Sequence, residues 1–188
     1  MTLTRADDAV AAFRDGFSCS QAIVSAFAED FGIDREEALK ISCAFGGGMA
    51  HTGNMCGAVT GALMVIGMKY GRTRANDIAA KEKTYAVTKL FLTEFLRRNH
   101  SHNCTNLLGH DLSDPIEYAV AKEKALFRIK CDKLVNDAAG ILEAILRIFP
   151  GPRGFPGFVL FRFQEIWNIR CTRFRSRQKP RPLQGHEK

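Results

Sequence analysis

The chain is predicted to be all-α, a compact bundle of about six or seven helices with a glycine-rich loop ahead of one closely packed helix. Three observations predict this. Apolar residues recur at spacings of three and four over most of residues 1–149, capping patterns open successive segments, and strand-like alternation is almost missing. A short first segment runs from Asp7 to Phe13 and stops at Gly16. Ser18 with Gln21 has the capping-box pattern, in which side chain and backbone satisfy each other's orphan groups at a helix start. The helix it opens carries Ala22, Ile23, Ala26 and Phe27 on one side and ends at Gly32. Asp34 with Glu37 repeats the pattern ahead of Ala38, Leu39, Ile41 and Ser42, and Cys43 closes that helix as an expected core residue.

The stretch FGGGMAHTGNM follows, and its glycines Gly46, Gly47 and Gly48 resist helix because each gives up more backbone freedom than any other residue. Asn54 is expected to cap the next helix, CGAVTGALMVIGMKYG, where Gly57 and Gly61 with Ala58 and Ala62 form a face small enough for another backbone to approach. That places this helix in the middle of the bundle. Asn76–Arg98 reads as the longest helix, with a broad stripe of Ile78, Ala79, Tyr85, Thr88, Leu92, Phe95 and Leu96. After the polar loop RNHSHNC, Asn103 caps a short turn through Leu108, and Asp114, Pro115 and Glu117 open a further helix. Lys130 or Cys131 begins the last one, which presents Leu134, Val135, Ala138, Leu142, Ile145 and Phe149.

Residues 1–149 hold 18 Lys/Arg against 18 Asp/Glu, whereas residues 150–188 hold nine basic groups against Glu165 and Glu187. The formal charge of +7 therefore belongs to the tail, and the body has no basic excess to attract a phosphate backbone. Five of the six prolines also lie beyond Phe149, so the chain divides into a helical domain, 1–149, and a basic, Pro/Arg-rich extension, 150–188, read as poorly ordered. Cys171 falls in that extension. No apolar run is long enough to span a membrane and no secretory leader is visible, so the expected location is cytoplasmic. Reducing conditions there argue against a disulfide scaffold.

Cys19, Cys56, Cys104 and Cys131 each read as lying at or just after a helix start. Unsatisfied amides and the helix dipole favour an anion there, which lowers a thiol pKa from about 8.5. Burial would oppose this, and the sequence leaves the balance open. No CxxC pair exists, so zinc-finger and thioredoxin-like motifs are absent. Thiolates gathered at one end of the bundle would suit a [2Fe–2S] cluster, a tetrahedral zinc, or two dithiol pairs. Gly46, Gly47, Gly48 and Gly57 are candidates for turning amides toward such an anionic group, with tight packing as the alternative.

Cys56-Gly57-Ala58-Val59-Thr60-Gly61, the glycine-rich lead-in, Cys19 in GFSCSQAI, Cys104 in NCTNLLG and Cys131 in KCDKLVNDAAGILEAIL together resemble the C_GCAxxG_C_C family of redox proteins. The resemblance covers residues 7–149, leaves Cys43 outside the family's four cysteines and does not extend to the tail. It implies redox activity through those cysteines and is similar to a domain that accompanies a haem-binding part in some electron-transfer proteins. The chain contains no CxxCH, so haem is not implied. Two chemistries stay open: four cysteines ligating an iron–sulfur cluster in electron transfer with a redox partner protein, or thiol–disulfide exchange with Cys56 attacking and Cys19 among the reacting thiols. A structural zinc module is the non-redox alternative, and a homo-oligomer is compatible with any of them.

Overall fold

The computed structural model describes residues 4–149. Among these residues eight helices make up the fold: α1 (Arg5–Arg14), α2 (Cys19–Ala28), α3 (Arg35–Ser42), α4 (Gly57–Tyr70), α5 (Ile78–Asn99), α6 (Cys104–Leu108), α7 (Pro115–Glu123) and α8 (Leu126–Ile148). Among the described residues there is no strand, only an isolated antiparallel bridge between Met55 and Asn103. Cys171 and the rest of the proposed extension lie outside the described residues.

Local chemistry explains most helix starts. Thr4 with Asp7 and Ser18 with Gln21 form complete capping boxes on α1 and α2. Asp34 accepts from the amides of Glu36 and Glu37, Asn103 from Asn106, and Asp114 from Ile116. Three expected boundaries are corrected. The chain enters α1 at Arg5, ahead of Asp7. Asn54 does not cap α4; the N-cap is Cys56, and the Asn54 amide reaches Thr52 Oγ1 instead. The last helix starts at Leu126, so Cys131 sits inside it rather than at its end. The break before α8 is a single left-handed residue, Ala125 (φ 51°), which carries none of the glycine or proline signals that mark such breaks.

Nine of the ten residues of α2 are buried, because α1, α3, α4 and α8 cover it from different sides. The small face of α4 makes this possible. A Cβ added at Gly61 would lie 2.9 Å from the Ser20 carbonyl and 3.1 Å from Ile23 Cβ, so only glycine permits this approach. Val59, Ala62, Val65 and Ile66 are fully buried at the same centre, as are Ile23, Phe27, Phe91 and Leu142. The stripe expected on α5 is narrower than its apolar residues suggest. Only Val87, Phe91 and Phe95 are buried, while Ile78, Tyr85 and Leu96 are exposed. Cys43, expected in the core, is also exposed, because α3 gives way to a 3-10 turn at Cys43–Phe45. No helix among the described residues is long and apolar enough to cross a membrane.

Candidate redox site

The four cysteines of the motif arrive from four different helices. Cys19 is the first residue of α2, Cys56 the N-cap of α4, Cys104 the first residue of α6, and Cys131 lies in the second turn of α8. All four are free and buried, with exposures of 8, 1, 5 and 3% respectively. Two of them are held by the bridge between loops: the Cys56 amide donates to the His102 carbonyl at 2.8 Å, and the Cys104 amide donates to the Asn54 carbonyl at 2.6 Å. Long-range pairing of residues 54–56 with 102–104 thus brings two cysteines together that are far apart in the chain.

The glycines serve this convergence. A Cβ at Gly48 would meet Cys104 Cβ at 2.8 Å and the Asn54 amide nitrogen at 2.7 Å, and one at Gly46 would meet Ser18 Cβ at 2.6 Å. At Gly57 a Cβ would lie 3.0 Å from the Phe45 carbonyl and 3.2 Å from Cys19 Cβ. Gly47, in the left-handed region, faces the His51 ring. Gly48 and Gly57 thus let the backbone pass close to Cys104 and Cys19, whereas Gly46 and Gly47 make room for Ser18 and His51.

Electrostatics separates the four thiols. Cys19 donates a hydrogen bond to Cys131, and this bond together with burial holds the Cys19 thiol well above its ordinary pKa. The charges of Cys131, Cys56 and Cys104 act on Cys19 in the same direction. Accepting that hydrogen bond lowers the pKa of Cys131, against burial and the adjacent Asp132, with Lys130 assisting. Burial pushes Cys56 up to about 11 although the amides of Ala58 and Val59 favour its thiolate. Burial also raises Cys104, and the charges of Cys56 and Cys131 add to the effect. The balance left open by the sequence is thereby resolved at Cys56, where desolvation outweighs the helix start. Cys131, inside its helix, becomes the most acidic of the group through a neighbouring thiol instead of a dipole.

The histidines near the site have other roles. His102 Nε2 pairs with the Leu92 carbonyl at 2.7 Å and its ring stacks on Phe95, while the His51 ring rests on Tyr118 with centroids 4.7 Å apart. Among the described residues no three His, Cys, Asp or Glu side chains form a group able to hold a metal ion. Sequence reasoning missed His102 as a backbone partner of Cys56, and Met49, Ala50 and His51 as left-handed residues beside the site. No local signal marks either, since both depend on contacts between distant segments.

The fold is thus an all-α bundle that buries four unpaired thiols from four helices, two of them held by one bridge between loops. The family model described as "Putative redox-active protein (C_GCAxxG_C_C)" matches residues 17–145, and the chain belongs to this family. Neither the curated proteins nor the solved structures give a match.

Proposed function

We propose that the protein carries out thiol–disulfide exchange, with Cys131 as the attacking thiolate and Cys19 as the resolving thiol. The contact between Cys19 and Cys131 supports this reading, because it sets two buried thiols side by side and leaves Cys131 the more acidic of them. The Cys131 thiolate attacks one sulfur of a substrate disulfide, forming a mixed disulfide and releasing the other substrate sulfur as a thiolate, which takes up a proton. Cys19 then loses its proton to solvent and attacks the Cys131 sulfur. The Cys19–Cys131 disulfide forms, the second substrate thiol leaves, and two protein thiols have been oxidised for one substrate disulfide reduced. Cys56, expected as the attacker from its helix start, stays protonated at neutral pH with its pKa near 11. A redox partner protein in a reducing cytoplasm would close the cycle.

The test is a redox titration of the full chain against glutathione, with alkylation of the remaining thiols and mass mapping. A disulfide between Cys19 and Cys131 is the expected product, and Cys19→Ser should trap glutathione on Cys131. Anaerobically purified protein with thiolate-to-iron charge-transfer absorption would overturn the reading in favour of a [2Fe–2S] carrier. Stoichiometric zinc in a colourless protein would do so in favour of a structural module.

A further inference from the structure

Five consecutive residues have positive φ: Gly47 at 62°, Gly48 at 71°, Met49 at 66°, Ala50 at 49° and His51 at 63°. The ψ values of 29° and 45° at Gly47 and Gly48, and 44° at Ala50, make this segment a turn of left-handed helix. Three of its residues carry a Cβ that crowds the following carbonyl in this form, which disfavours each by about five- to thirtyfold against the right-handed form. The turn is held from outside. The Ala50 amide donates to the Ala44 carbonyl at 3.0 Å, Asn54 to Gly48 at 3.1 Å, and the Thr52 hydroxyl to the same Gly48 carbonyl at 2.6 Å. On one side Gly48 is seated against Cys104, and on the other the His51 ring rests on Tyr118, which in turn contacts Phe127 with centroids 5.7 Å apart.

All four thiols are buried, so a disulfide of any size reaches them only if something opens. We propose that the left-handed turn Gly47–His51 is the gate. Its strain is released when it leaves Tyr118 and swings off Cys104, exposing that thiol from this side, and it is restored on closing. The purpose of the gate rests on the exchange reaction proposed above, but its existence does not. Alkylation of the reduced chain reads the gate whether or not a Cys19–Cys131 disulfide ever forms.

The experiment pulses the reduced full-length chain with N-ethylmaleimide and follows each cysteine by mass, with exposed Cys43 as internal standard. Ala50→Gly removes one crowded Cβ, stabilises the closed turn, and should slow modification of Cys104 relative to Cys43 by about five- to thirtyfold. Tyr118→Ala removes the latch and should speed it. An unchanged Cys104 rate in Ala50→Gly would overturn the gate. So would an equal slowing of all four buried cysteines that merely follows the change in global stability measured by urea unfolding, since access would then come through unfolding.

Discussion

Replacing Gly61 and Gly67 separately by alanine should move stability in opposite directions, although both lie in α4. Alanine in a helix interior is favoured over glycine by about 1 kcal/mol. At Gly67 nothing lies within 4 Å of the added Cβ, so that gain is realised in full. At Gly61 the Cβ would stand 2.9 Å from the Ser20 carbonyl oxygen and 3.2 Å from Ser20 Cα, both backbone atoms of α2 that cannot rotate aside. Forcing two packed helices apart costs about 1–3 kcal/mol, and contact with backbone points to the upper half of that range. The net expectation is a loss of about 1–2 kcal/mol for Gly61→Ala and a gain of about 1 kcal/mol for Gly67→Ala. Thermal midpoints of the two variants should then differ by about 5–10 °C. Urea titration with unchanged slope would confirm that the native state is what changed. A Gly61→Ala protein as stable as Gly67→Ala would refute the claim that the small face of α4 sets the distance to α2.

Four further outcomes follow from particular positions. Gly48→Ala combines a positive φ with a collision against the Asn54 amide nitrogen at 2.7 Å, and should lose about 2–4 kcal/mol by urea unfolding. Gly32→Ala, with φ 72° and open space, should lose only the backbone contribution of about 1–2 kcal/mol. The Tyr70 hydroxyl donates to the Phe149 carbonyl at 2.6 Å, and burial pushes its pKa up to about 12. The folded state thus favours the neutral phenol: its stabilisation is complete below about pH 10 and fades as pH rises toward 12. Tyr70→Phe should flatten that alkaline limb. The Arg97 hydrogen bond, with help from Arg98, holds Glu94 at about 2, so its contribution is present above its ordinary value of 4.5 and is lost as pH falls to 2. Because the ion pair faces solvent, Glu94→Gln should reduce the acid-limb slope by less than about 1 kcal/mol in total.

Sequence carried the fold where its causes are local. Ser18 with Gln21, Asn103 and Asp114 mark helix starts through side chains that bond to amides two or three residues away. Gly57 and Gly61 disclosed a close neighbour because small residues four apart share one helix face. The failures share a different cause. Asn54 looks like a cap, but residues 54–56 are committed to a bridge with residues 102–104. Cys131 looked like a helix start because the true start, after Ala125, has no turn residue to announce it. At the site, the cysteines could be named from spacing and motif, whereas their protonation could not. That depends on burial and on Cys19 facing Cys131, both properties of the assembled bundle.

The distribution of the thiols along the chain also has a bearing on biosynthesis. Cys19, Cys56 and Cys104 leave the ribosome before the helix that carries Cys131, so the partner that restrains Cys19 is missing until α8 has been made. An oxidant acting in that interval would crosslink nascent thiols in the wrong combination, and the helices would have to close around the error. A thiol still reduced when α8 is complete can take up the partner that the bundle provides, and one already crosslinked cannot.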